Sequence, residues 1–153
     1  MTNLVVSNNR ITAMSDEAID KVRRLEQRLQ GQPNITLTTD HVIHGGMYSR
    51  SIFMPIGSVI TGALIKVPTI LIINGHVTVW LDNERTEIAG YQVFACSAHR
   101  KQAFAFHSDT HMTMLFTTSS KTIADAENEF TDEADRLLSR QSSAINNINI
   151  TGE

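Results

Sequence analysis

The side chains of this 153-residue chain with the clearest chemical use are a few isolated cations and six histidines. Between Ser51 and Leu81 the only formally charged residue is Lys66, and Arg100-Lys101 follows the apolar run Val93–Cys96 after a short polar step. Cations set among apolar residues select carboxylates and phosphates, because charge-assisted hydrogen bonds strengthen where water is excluded. Tyr48 and Arg50, on the strand leading to Pro55, either line the mouth of such a pocket or face solvent on an edge strand. Lys66, Lys101, Arg100, Tyr48 and Arg50 are therefore the candidate ligand-binding set, and an anionic metabolite or nucleotide is the matching ligand.

The histidines offer a second chemistry. His107 and His111 flank a Ser-Asp-Thr turn containing Asp109, while His41 and His44 lie three apart ahead of Gly45-Gly46. Neutral imidazoles converging on one point hold a transition metal, so His44, His99 and either His107 or His111 are the candidate metal set. The competing reading makes them turn and surface histidines. Cys96, three residues before His99, suits a thiolate–imidazole pair in principle and a buried core cysteine better. The sequence contains no G-x-S-x-G elbow, phosphate-binding loop, dinucleotide glycine fingerprint or H-E-x-x-H.

The elements that must carry these groups fall into four stretches: 1–34 with an amphipathic helix, 35–118 as an all-β block, 119–140 as a helix or helix pair, and 141–153 as a polar tail. Ser15 is a good N-cap, Asp16 and Glu17 favour the first turn, and Ala18, Val22, Leu25 and Leu29 form one apolar stripe ending before Gly31. That stripe packs on its own domain or pairs with a second subunit. Short β-branched and aromatic runs follow, predicting strands at Ile35–Thr38, Met47–Phe53, Ser58–Ile65, Thr69–Ile73, Val77–Leu81, Thr86–Ile88, Gln92–Cys96, Gln102–Phe106 and Met112–Thr117. Asn74-Gly75 reads as a two-residue hairpin turn and Asp82-Asn83-Glu84 as another. Many short strands point to a barrel or sandwich. Ile123, Ala126, Phe130, Ala134 and Leu137 restore a helical stripe, broken at Thr131-Asp132-Glu133, and the Asn-rich end has no period.

Composition narrows the function. A formal charge of −3 argues against nucleic acid as the main partner. One cysteine precludes an intrachain disulfide. No apolar stretch approaches the ~18 residues of a membrane span, and no leader pattern opens the chain. The expected location is the cytoplasm, or a virion if the chain is phage-encoded.

Pro55-Ile56-Gly57, a strand, ILIING ending at Gly75, a second strand, a tight turn and Gly90 occur in an order that resembles the cupin superfamily over roughly residues 45–118. Small phage and prophage cupin-like proteins are similar in three further places, His44-Gly-Gly-Met-Tyr48, Gly62 to Thr69 and Glu129 to Asp135. The resemblance implies a mainly β fold, a cupin-type jelly-roll barrel or sandwich with flanking N- and C-terminal helices. It also implies where metal ligands would sit. Counted from Gly75, the family's two histidines and glutamate fall on Gly62, Leu64 and Pro68; counted from Gly57, on Ala63, Ile65 and Thr69. The second motif places its proline, glycine, histidine and asparagine at Cys96, Ala98, Lys101 and Ala105. None of the family's ligands is retained.

On the Gly75 register Lys66 shares strand parity with the vacated positions, and Lys101 replaces the last histidine. Both ammonium groups would then enter one cavity, requiring an anionic guest, a buried acid such as Glu87, or a lowered pKa. Otherwise the lysines reach solvent and Leu, Ile and Phe fill the interior. The leading expectation is a non-catalytic, metal-free protein without a cofactor, forming a homodimer or higher homo-oligomer and serving a structural or accessory role, such as phage assembly, with a phage or host protein as a further partner. A barrel that binds or sequesters a small anion is the alternative. An enzyme using a histidine metal site or a Lys/His acid–base pair is the third.

Overall fold

The structure is a computed structural model that describes residues 2–31, 36–82 and 84–153. Nine strands and two helices follow one another as β1 (Arg10–Ile11), α1 (Asp16–Leu29), β2 (Thr38–His44), β3 (Met47–Met54), β4 (Val59–Thr61), β5 (Thr69–Trp80), β6 (Arg85–Cys96), β7 (Ala103–Phe106), β8 (Thr110–Thr117), α2 (Ile123–Phe130) and β9 (Ile145–Ile150). Two short 3-10 turns, Ala134–Arg136 and Leu138–Arg140, separate α2 from β9.

The long β5/β6 ribbon organises the barrel. Its two strands pair continuously from Thr69↔Cys96 to Trp80↔Arg85. On its other edge β5 changes partner, pairing with β8 from Ile70 to Asn74 and with β7 from Val77 to Trp80. One layer is thus β1-β6-β5-β8-β3-β2-β9, and the other continues the ribbon into β7 and β4. A strand that bends from one layer into the next is how such barrels turn a corner. This is a jelly-roll β fold.

The corner falls on Gly75, which faces Gly90 across the ribbon. Asn74-Gly75 is therefore mid-strand rather than a hairpin turn, correcting the sequence expectation. Gly75 adopts φ +157°, and a Cβ there would lie 2.1 Å from Thr110 Oγ1. Its glycine serves close approach, not chain reversal. The ribbon reverses instead at residues 82–84, where Leu81 N–H donates to Glu84 O; Asn83 lies outside the described residues. Ile35, expected to open the first strand, also lies outside them, and β2 begins only at Thr38.

Helix α1 forms as its pattern requires, with Ser15 Oγ accepting from Ala18 N–H. Ala18, Ile19 and Val22 are buried against Ala103, with Leu64 and Trp80 beside them, so its apolar stripe packs on its own domain. The C-terminal helical stripe breaks at Thr131, as the Thr-Asp-Glu sequence suggested, and its second part becomes 3-10 turns. The last segment is not a loose tail. β9 pairs in parallel with β2 from Thr38↔Ile145 to Ile43↔Ile150, held by side chains as well as backbone: Asn146 on His41, Asn147 on Asp40.

Candidate functional site

A half-open cavity of about 170 Å³ lies between the β3, β4, β5 and β8 strands, α2 and the 3-10 turns. Ile52, Ile60, Leu71, Met112, Met114, Phe130, Leu137 and Leu138 give it apolar walls, with Arg50, Glu26, Glu133 and Arg136 at its borders. Ala63 and Ile65, two positions that would carry family ligands counted from Gly57, lie on this wall, as does Gly62. The structure thus brings three of the vacated positions to the cavity, among hydrocarbon side chains, while Leu64, Pro68 and Thr69 lie off its wall.

Lys66 is not there. The chain leaves β4 after Thr61 and makes only the isolated Ile65↔Arg100 bridge before β5, so alternate-residue parity does not run through to Lys66. Lys66 N–H donates to Phe130 O, and its ammonium stands outside on Asp132 at 2.6 Å. The two lysines therefore do not share a pocket. Glu87, the acid expected to neutralise them, is exposed and pairs with His76.

Lys101 is inside, only 1% exposed, and its Nζ is caged by oxygen. It lies 2.9 Å from Glu26 Oε2 on α1, 3.1 Å from Glu133 Oε2 and 2.8 Å from Gly62 O. Glu133 also accepts from Leu64 N–H and pairs with Arg23 at 2.6 Å. Burial alone would raise the Glu133 pKa, but the Leu64 amide, Lys101 and Arg23 outweigh it and hold it at about 2. An internal ammonium thus fills an oxygen cage made by Glu26, Glu133 and Gly62, at the position where the cupin resemblance would put a histidine. Sequence reasoning missed both acids because they come from the helical flanks, whose charges read as solvent-facing.

At the opposite border Arg50 Nη1 meets Glu127 Oε2 at 2.7 Å and Nη2 donates to Ser139 Oγ at 2.7 Å, with the guanidinium over the Phe130 ring. Arg140 Nε closes on the other Glu127 oxygen at 2.9 Å. Burial opposes the ionised Glu127, yet Arg50, Arg140 and Ser139 lower its pKa overall. Behind Arg50 lies a relay that runs from exposed Asn146 to buried His41 and Tyr48. Asn146 Nδ2 donates to Ser139 O, so its Oδ1 receives His41 Nε2–H, leaving His41 Nδ1 to accept from Tyr48 Oη–H at 2.7 Å. Tyr48 does not line the cavity; its burial raises the phenol pKa. Arg100 is buried as well, donating to Ser97 O and Thr69 Oγ1, and does not border the cavity.

His41 has a testable consequence. Burial is the main cause lowering its pKa below 6.5, with Arg50 adding to it and Asn146, Glu127 and Asp40 opposing. A folded pKa below the unfolded one means the unfolded chain binds more protons, so stability falls as pH drops from about 6.5 towards the folded value. An NMR titration of the His41 ring should give a midpoint under 6.5; a midpoint above it would contradict the buried, neutral assignment.

The four candidate metal histidines are not brought together. His44 lies near the C-terminal end on Thr151 Oγ1, His99 faces Asp16 Oδ1 at 3.0 Å, His107 Nε2 meets Thr78 Oγ1, and the His111 ring lies against Phe53. Among the described residues no group of three His, Cys, Asp or Glu could hold a metal ion. The residues present do not fit the metal centre that the cupin resemblance implies: the positions counted for it hold no ligating side chain, and one of them is a carboxylate-bound lysine. Cys96 is buried, which pushes its thiol pKa up and disfavours a nucleophilic thiolate.

The corner-turning β5/β6 ribbon, the two-layer barrel and the flanking helices give the chain a jelly-roll β fold. No protein-family model matches the sequence, and no curated protein matches it. Solved structures similar to it include a cupin superfamily protein from Desulfitobacterium hafniense, with 13% identity, TM-score 0.46, and 60% of this chain and 86% of that one covered. Another is the cupin domain of an XRE family transcriptional regulator from Enterobacter cloacae, at 15% identity, TM-score 0.40, and 49% and 84% coverage. A salicylate 1,2-dioxygenase from Pseudoaminobacter salicylatoxidans matches at 12% identity and TM-score 0.49, over 76% of this chain and 36% of that one. At these identities neither regulation nor oxygenation carries over. No helix among the described residues is long and apolar enough to cross a membrane.

Proposed function

We propose that this chain is a non-catalytic cupin-fold protein that works as a homodimer built on the outer face of its barrel, in a structural or accessory role. The carrying observation is that face. Residues directly opposite in neighbouring strands share a side of a sheet, and the ladders place Tyr91, Val93 and Ala95 of β6, Ile70, Ile72 and Asn74 of β5, His111, Thr113 and Leu115 of β8, and Ser49, Ser51 and Phe53 of β3 together. No Asp, Glu, Lys or Arg is among them, and the same ladders set Arg10 of β1 opposite Ala95 and Asp40 of β2 opposite Ser51 at the two margins. Ile70, Val93 and Phe53 remain 44%, 43% and 44% exposed, and Tyr91 65%.

A solvated face would alternate with polar residues, whereas the ILII run of β5 is apolar on both sides, as in strands covered on both faces. The occupant best suited is a second copy, since the four central strands of the face bring no like charges together about a twofold axis and its two charges, Arg10 and Asp40, stand at opposite margins with opposite signs. The apolar cavity wall and the lysine-filled oxygen cage support the non-catalytic half of the reading. The likeness of the His44–Tyr48, Gly62–Thr69 and Glu129–Asp135 segments to small phage proteins suggests virion or phage assembly as the setting.

Ile70→Asp combined with Val93→Asp changes exposed side chains and should leave the thermal midpoint nearly unchanged. Burying uncompensated carboxylates should weaken self-association by about a hundredfold or more. Sedimentation velocity should show the parent at the mass of two chains and the variant at one; identical sedimentation of the two would sink the proposal.

A further inference from the structure

The cavity has walls, size and charge that together define a ligand class, and none of these depends on self-association. An engineered void of about 150 Å³ with similar aliphatic and aromatic walls takes up benzene, so about 170 Å³ accommodates one aromatic ring or a short branched acyl chain. The border sets the head group. Glu26 and Glu133 are matched by Lys101 and Arg23, and Arg50 by Glu127. Arg140 bridges Glu127 and Asp135, and Lys66 takes up Asp132. Arg136 also borders the cavity, is exposed, and among the described residues makes no side-chain hydrogen bond or ion pair. With every other nearby charge paired, the border carries one surplus guanidinium.

We infer that the barrel cavity binds a small apolar monocarboxylate, its hydrocarbon body against Ile52, Leu71, Met112, Met114 and Phe130 and its carboxylate on Arg136. The mostly hydrocarbon wall excludes sugars and nucleotides, whose hydroxyls would lose water without finding partners. A dianion or a phosphate ester is also disfavoured, because only one cation is unmatched and Glu26 and Glu133 border the same cavity. The anion-binding role expected of Lys66 and Lys101 thus passes to Arg136, an exposed arginine in an acidic stretch.

Met112 and Met114 supply the reporter, since their ε-methyl groups belong to residues on the wall. Benzoate, 3-methylbutanoate and the neutral isostere benzamide are titrated into the intact protein, and methionine methyl resonances are followed by NMR. Saturable shifts of both methyls are expected with the two carboxylates, and benzamide should bind about five- to tenfold more weakly for lack of the charge-assisted contact. Arg136→Gln, at an exposed unpaired position, should leave the fold intact and lower benzoate affinity to that of benzamide without altering benzamide binding. Absence of shifts with all three compounds would overturn the assignment of the cavity. Equal binding of benzoate and benzamide, or benzoate binding indifferent to Arg136→Gln, would overturn the assignment of the head group.

Discussion

Replacing Lys101 by methionine is expected to lower stability by about 3 kcal/mol, the lower end of the cost of removing one partner from a buried ion pair. The side chains are of similar length and methionine packs well, so lost volume is not the cause. What remains is two carboxylates facing one another, Glu26 and Glu133, together with the Gly62 carbonyl, around a space without a cation. Arg23 still compensates Glu133, and Glu26 keeps partial solvent access, which is why the upper end is not expected. For a chain of this length the thermal midpoint should fall by roughly 6–12 °C.

Adding Glu26→Gln to Lys101→Met removes the uncompensated charge and should recover part of the loss. A double-mutant cycle on this pair separates charge from packing; if the second substitution made matters worse by its full single-variant cost, the cage would not be electrostatic. Acid should act on the same cluster. With Glu133 held at about 2 in the folded chain, its stabilising share is present above its unfolded pKa and is lost as pH falls from the ordinary glutamate range towards 2.

Gly75→Ala should be more damaging still, abolishing soluble expression or lowering the midpoint by more than about 10 °C. The added Cβ would stand 2.1 Å from Thr110 Oγ1 and 2.7 Å from Thr110 Cβ. Thr110 is fully buried and donates to Ser108 O, so it has nowhere to swing. At φ +157° the backbone itself is also strained for an L side chain. Thr110→Gly in the same chain removes the clash but not the backbone cost, and should restore soluble protein of reduced stability. A Gly75→Ala protein as stable as the parent would show that β5 does not turn its corner there.

These two residues mark what the sequence does and does not disclose. Helix α1 is legible because cap, first-turn acids and apolar stripe agree over a short window, and the reversal near residues 82–84 is legible for the same local reason. Asn74-Gly75 has the local chemistry of a hairpin turn, but its glycine answers to Thr110, 35 positions away in the chain, which no window includes. The C-terminal INNINI reads as loose because asparagine is poor in strands; it forms β9 through ladder bonds and the Asn146 and Asn147 side chains, while Ile145, Ile148 and Ile150 stay 53%, 58% and 43% exposed.

The same contrast holds for the site. That the positions where the cupin resemblance would put metal ligands hold no histidine or carboxylate is visible by counting from Gly57, Gly75 and Gly90. Which cations would face the interior was not, because strand parity lapses between Thr61 and Thr69, and because the acids that satisfy Lys101 arrive from α1 and from the segment after α2. Arg50, singled out with Tyr48 for a pocket mouth, does border the cavity, but already engaged with Glu127. Arg136 gave no signal, being one exposed arginine in an acidic stretch.

Native mass spectrometry of the untagged protein tests the central claim most directly, reading subunit number and bound metal in one spectrum. A self-associating barrel without a metal centre predicts the mass of two chains, with less than about 0.1 metal per chain. A monomer, or a stoichiometric transition metal that survives mild chelation, would contradict it.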